Sequence, residues 1–163
     1  MRRVVTGVDD DGRSTIVSDG APPVVFLGRS GSIVPELMAP GAADDPPGAG
    51  EAHVAELWAL ARDPVVTTED PTAGMTQPTW TVPPGATRWL ISRMGPGLAV
   101  PGHRTDSIDY GIVVAGEVEL GLDTGPVQLR AGDMVVVNGV VHTWRTGPEG
   151  CTIATVMVGL PPA

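Results

Sequence analysis

Several residue types that carry enzyme chemistry are missing from this chain or nearly so. Lysine is absent, and all ten basic residues are arginine. That removes Schiff-base catalysis, the P-loop lysine and lysine general bases. The single cysteine, Cys151, leaves no intramolecular disulfide, no CxxC redox pair and no cysteine-built zinc cluster. Histidine is limited to His53, His103 and His142, so metal or acid–base chemistry must be built from these three and the carboxylates. Positive charge is short too. The net charge of −9 argues against a nucleic-acid partner or an anionic membrane surface. No apolar run approaches the roughly 20 residues of a membrane helix. After Arg2-Arg3 only Val4-Val5 precede Thr6 and Gly7, well short of the ~7–15 apolar residues of a signal-peptide core. The resulting expectation is a soluble, cytoplasmic protein.

Glycine and proline, by contrast, are abundant, with 22 and 17 residues in a chain of 163. Such a share can mark disorder. Here they punctuate short runs of Val, Ile and Leu, the pattern of a many-stranded sandwich or barrel. The length suits one domain over 1–163. Val4-Val5 and Thr15-Ile16-Val17 flank the acidic turn Asp9-Asp10-Asp11-Gly12 and predict a hairpin. Val24 to Leu27 is a further strand, and Pro35 to Gly50 a loop. His53 to Arg62 is the one segment that suits a helix, with Val54, Leu57, Trp58 and Ala61 on one face, although an extended Leu-Trp strand fits it as well. Thr67 to Gln77 is a polar connection. Strands are then predicted over Thr79–Val82, Arg88–Met94, Ile108–Val114, Glu117–Asp123, Val127–Arg130, Met134–Val137, His142–Arg145 and Thr152–Gly159.

The informative stretch is Gly97 to Gly116, GLAVPGHRTDSIDYGIVVAG. Gly97 is followed by five residues, then His103, Arg104 and Thr105, with Asp109 after three more and Gly116 after a further six. This spacing resembles the first cupin motif, with Thr105 where the second histidine of that motif falls and Asp109 where its glutamate falls. Gly132 through Gly139 to His142 resembles the second motif, one residue short before Gly139 and with Val137 at the proline position. The intermotif distance is 15 residues. The chain is similar to small single-domain cupins, in particular a subset that carries the HRT…DYG string. The resemblance spans about residues 79–160. It implies an all-β fold, the cupin-type double-stranded β-helix or jelly-roll barrel over 79–160, with 1–78 as an N-terminal extension of strands and loops packing on it.

Alternation explains how such spacing makes a site. His103 and Thr105 lie two apart and share a strand face, Asp109 shares their parity if the Asp106–Ser107 turn keeps register, and His142 enters from another strand. Two imidazoles and a carboxylate are the ligand set of a facial-triad centre with open positions, able to take Fe, Mn, Ni or Zn. Against this, Asp109 is one methylene shorter than glutamate, about 1.5 Å of reach, and Thr105 is a poor ligand. Without a metal, Asp109 could orient His103 as an acid–base dyad with His142 as partner, which suits dehydration or isomerisation.

The catalytic and metal candidates are therefore His103, Asp109 and His142, with Thr105, Val113, Met134 and Trp144 as pocket walls. Trp80 and Trp89 are weaker aromatic candidates. His53 reads as a surface or interface histidine, and Tyr110 and Arg104 point away from the pocket. Cys151 reads as an inert small hydrophobe at a strand start, and Asp133 as a turn residue. Two functions follow. One is an enzyme acting on a small, partly apolar organic molecule, of oxygenase, lyase, dehydratase or isomerase type. The other is a non-catalytic small-molecule-binding cupin with a degenerate metal site. The resemblance implies a homodimer, and the open edges of a short-stranded barrel point the same way.

Overall fold

The computed structural model describes residues 3–8, 10–11, 13–22, 24–29, 39–41, 46–60, 68–75 and 81–161. Among the described residues the chain is all-β, without a helix. The amino-terminal hairpin forms as predicted from strands β1 (Arg3–Val8) and β2 (Ser14–Gly20), which pair with each other and stand apart from the main sheet. That sheet has nine antiparallel strands. They are β3 (Val24–Arg29), β4 (Ala39–Pro40), β5 (Glu51–Leu60), β6 (Thr87–Met94), β7 (Ala99–His103), β8 (Ser107–Leu122), β9 (Gly125–Arg130), β10 (Met134–Asn138) and β11 (His142–Gly159). Their order is β10-β8-β11-β6-β5-β3-β4, with β7 added to β11 and β9 to β8. The sheet wraps one interior, the double-stranded β-helix.

Inward residues of β6, β7, β8, β9 and β11, among them Val113, Val118 and Ile153, make the larger core cluster with Leu98 of the β6–β7 connection. A smaller one joins Val54, Val82, Ala86, Leu90 and Met157 beside it. Two glycines let strands cross at the end of the barrel. A Cβ on Gly116, whose φ is +74°, would stand 2.2 Å from the Gly150 carbonyl oxygen. One on Gly150 (φ +71°) would stand 2.5 Å from that of Met94. Only glycine tolerates both the backbone angle and the approach.

Several expectations change. The stretch beginning at His53 is a strand, β5, paired with β3 from Glu51 to Glu56 and with β6 from Ala52 to Leu60. Both of its faces are covered, Val54 and Glu56 on one side and His53, Ala55 and Leu57 on the other, so its apolar residues do not alternate and imitate a helix. His53 is accordingly buried, not at the surface, and its Nδ1 has no hydrogen-bond partner. Ile108–Val114 and Glu117–Asp123 fuse into the single bent strand β8, and His142–Arg145 and Thr152–Gly159 into β11, whose Gly147–Gly150 stretch is a bulge rather than a turn. Cys151 is thus mid-strand, where burial pushes its thiol up to about 11 and keeps it inert. Of the Thr79–Val82 strand, Thr79 and Trp80 lie outside the described residues, and Thr81 and Val82 are not strand.

An ion pair is sealed inside the sheet. Arg88 Nε donates to Glu56 Oε1 at 2.8 Å and Nη2 donates to Oε2, with 3% and 1% of the side chains exposed. Arg88 Nη1 is buried with no partner. Two desolvated charges survive there only because each answers the other. Glu56→Gln should therefore lower stability by about 3–5 kcal/mol, read as the shift in urea unfolding. The apolar pair Glu56→Leu with Arg88→Met should recover most of that loss. A small effect of the single change would show that the pair is not dry.

Candidate functional site

The site is made by strand pairing. β7 lies against the first part of β11, and in that register His103 faces His142 across the ladder. The two rings come within 4.3 Å, centroid to centroid. Each imidazole is anchored the same way. Nδ1 of His103 is 2.9 Å from the Pro101 carbonyl oxygen, and Nδ1 of His142 is 2.9 Å from that of Val140. A carbonyl can only accept, so Nδ1 carries a hydrogen on both rings, and in the neutral form of each imidazole Nε2 is the atom that holds the lone pair. Trp144, two residues along β11, meets the His142 ring edge-on at 5.4 Å and 83°.

Asp109 sits near the start of β8, opposite Val137 and Met157. Hydroxyls hold both of its oxygens. Ser107 Oγ donates to Oδ1 at 2.5 Å, and Thr105 Oγ1 donates to Oδ2 at 3.4 Å. Ser107 Oγ also lies 2.9 Å from Thr105 Oγ1 and is fully buried. Burial pushes the Asp109 carboxyl above its ordinary 3.8, against the Ser107 hydrogen bond, His142, Thr105 and His103, which all favour the anion.

His103, Thr105, Asp109, His142 and Trp144 line one cavity of about 130 Å³. Its remaining walls are apolar side chains such as Leu90, Met94, Leu98 and Ile153, with Ser92 and Thr155 as further hydroxyls. No arginine or glutamate lines it among the described residues. Two expected wall residues fall elsewhere. Met134 is 78% exposed, because Val135 and Val137 are the inward residues of β10. Val113 has the right parity but lies deeper, at 1% exposure, in the larger core cluster. Arg104 turns outward to pair with Asp106, and Tyr110 and Trp89 are half exposed on the outer face. Ser107 was missed, although it lies two residues from both Thr105 and Asp109, and the same alternation that found them includes it.

The donor set bears on the metal that the resemblance implies. The two free Nε2 atoms suit an ion, since a liganding imidazole ordinarily gives its other N–H to a carbonyl. A third ligand is not in place: Asp109 is committed to Ser107 and Thr105. Among the described residues no group of three histidine, cysteine, aspartate or glutamate side chains is arranged to hold an ion. A three-ligand centre of His103, Asp109 and His142 does not fit this geometry.

No protein-family model matches the chain. Its sequence is similar to the phomopsin biosynthesis cluster protein C' of Diaporthe leptostromiformis, 44% identical over 63 residues, 38% of this chain and 33% of that protein. It is similar to the cupin-domain-containing oxidoreductase srdD of Neurospora crassa, 47% identical over 51 residues, 31% of this chain and 26% of that one. A third is the cupin-domain-containing oxidoreductase fogC of Aspergillus ruber, 37% identical over 70 residues, 42% and 34% of the two chains. The matches thus span about a third or less of the length of these curated relatives. Among solved structures, KdgF from a Halomonas species aligns over 65% of this chain and 77% of its own at a TM-score of 0.45 and 14% identity. The wrapped sheet and the two motif segments, together with the cupin-domain-containing oxidoreductases among the sequence relatives, support a small cupin.

Burial holds the His103 imidazole below its ordinary 6.5, opposed by its bond to Pro101, reinforced by His142 and opposed again by Asp109. The unfolded chain protonates His103 near 6.5, and the folded chain only at lower pH. The stability that His103 adds is full above 6.5 and falls as pH drops towards the folded value. Urea unfolding of the wild type and of His103→Gln, compared from about pH 8 to about pH 5, should show the wild type's relative stability declining below 6.5. A constant difference across that range would mean that His103 is not desolvated.

Proposed function

We propose that this chain is a proton-transfer enzyme of the isomerase or dehydratase type, acting on a neutral, largely apolar molecule about the size of one six-membered ring. The observation that carries the reading is the facing pair His103 and His142, each with Nδ1 tied to a carbonyl and Nε2 free. A base and its partner must present lone pairs into one space, and a neutral imidazole is the form that can take a proton. The depressed basicity of His103 keeps it neutral at ordinary pH.

Size and charge define the substrate. A dry cavity of about 150 Å³ takes up benzene, and this one is about 130 Å³. The lining carries no arginine to answer a carboxylate or phosphate, and Asp109 repels anions. A neutral carbonyl compound suits it. His103 Nε2 takes a proton from the carbon beside the carbonyl, and the electron pair moves onto the carbonyl oxygen. The imidazolium so formed is stabilised by Asp109, and His103 returns the proton to a different carbon. No other reactant is consumed.

The relatives named as oxidoreductases support a second reading, redox chemistry with a divalent ion at the two Nε2 atoms. Metal content of untagged protein, by elemental analysis before and after reconstitution with iron, zinc or nickel, separates the two. For the first reading the measurement is deuterium uptake beside the carbonyl of cyclohexanone and its unsaturated analogues in heavy water, followed by NMR. Uptake should be catalysed without added metal and fall at least about 100-fold in His103→Gln, while tryptophan fluorescence still reports binding. Binding without uptake would leave a non-catalytic cupin. Uptake unaffected by His103→Gln would remove the assigned base.

A further inference from the structure

The cavity wall carries two hydroxyls that the histidine chemistry leaves unused. Ser92 on β6 and Thr155 on β11 both line it, beside apolar neighbours. The other inward hydroxyls of the barrel are answered. Thr105 and Ser107 serve Asp109 and each other, and Thr146 bonds main-chain groups of Gly95 and Leu98. Among the described residues, Ser92 and Thr155 have no hydrogen-bond partner. A hydroxyl in an apolar wall costs free energy unless it is bonded, and alanine or valine would fill the same shapes without that cost. Strand register brings the two together. Thr155 stands opposite Leu90 of β6, and Ser92 opposite Ile153 of β11, so they are diagonal neighbours on adjacent strands. Their Cβ atoms then lie about 7 Å apart or less, within reach of one shared acceptor. The wall opens at the same point. Gly111 of β8 faces Thr155 across the ladder and is the one cavity residue without a side chain among the described residues. A Cβ there would stand 3.9 Å from Thr155 Oγ1, so the hydroxyl faces the space that a side chain at 111 would fill.

We infer that Ser92 and Thr155 together bind the carbonyl oxygen of a ketone, and that this oxygen sits in the notch at Gly111. The inference rests on the proton-transfer reading for the kind of substrate and adds how that substrate is held. A carbonyl oxygen has two lone pairs and no proton, so it takes one donor from each side. Two neutral hydroxyls suit it better than they suit a carboxylate, whose charge they could not answer. The placement also serves the chemistry. The donors come from β6 and β11, and the base, His103, from β7. The oxygen and the hydrogen on the neighbouring carbon therefore meet different walls. As the electron pair moves onto the oxygen, two donors already in position stabilise the growing charge more than they stabilise the neutral ketone.

The test compares two ligands of one shape, cyclohexanone and methylenecyclohexane, which differ only in the oxygen. Their dissociation constants are measured by NMR titration of the full chain, and the ratio of the two is the readout. Removing both hydroxyls, in Ser92→Ala with Thr155→Val, should shift that ratio at least about 10-fold against the ketone. Binding of methylenecyclohexane should hold or tighten. Thr155→Val alone should give part of the shift, and Thr155→Ser, which keeps the hydroxyl, should give none. Ser92→Ala is the second single variant should Thr155→Val fold poorly. A ratio unchanged in the double variant overturns the inference. So does an equal shift in Thr155→Ser, which would make shape the cause, or a wild type that binds neither ligand. Binding is read without turnover, so the two readings fail separately. A ketone that binds through the hydroxyls yet takes up no deuterium sinks proton transfer alone, and uptake with an unchanged ratio sinks the hydroxyl pair alone.

Discussion

The hydrogen-bond ladder along β11 is the constraint on which the rest depends. This strand of 18 residues pairs on one side with β8 and on the other with β7 and then β6, so its register sets that of three neighbours at once. The pairing with β7 brings His142 opposite His103, and the pairing with β8 brings Met157 opposite Asp109. Backbone hydrogen bonds thus do what side-chain contacts alone could not: they deliver polar groups from three strands to one wall of an apolar cavity. A slip of one residue would turn every inward side chain of the strand outward.

The polar wall has a cost, and its residues show how it is met. Both imidazoles are satisfied locally, by carbonyls two residues upstream, and so need no partner from the core. Asp109 draws on Ser107 and Thr105, which arrive with it on the same run of chain. Each donor travels with its acceptor, so forming the site orders few additional groups. The substitution of threonine for the usual histidine has a positive side in this light. At 105 a hydroxyl supports the carboxylate at 109, and the pair of changes works as one.

Much of this was legible from the sequence, and the failures share a cause. The strands, the all-β fold and the meeting of His103, Thr105, Asp109, His142 and Trp144 followed from motif spacing and alternation. Alternation then failed where a strand is covered on both faces. β5 looked helical because neither of its sides is wet, and His53 looked superficial because a composition of alanine and glycine does not reveal what lies over it. Met134 was placed on the wall by the parity argument that also served Trp144, yet every residue of the run Met134–Val137 is apolar, so that run does not show which residues face inward. The tertiary register of β10 against β8 decides it, and no local pattern encodes that. The fusion of strands at Gly116 was hidden for a similar reason, since a glycine reads as a turn whether the chain reverses there or only bends.

The two close glycine approaches at the barrel end constrain the main chain independently of the site. Gly116 and Gly150 do not line the cavity, yet a methyl group on either would collide with another strand's backbone. The imidazoles and the carboxylate, by contrast, are side chains that can be exchanged without moving the main chain. A substitution at the centre is thus a change of chemistry within a standing barrel, whereas one at either glycine is a change to the barrel itself.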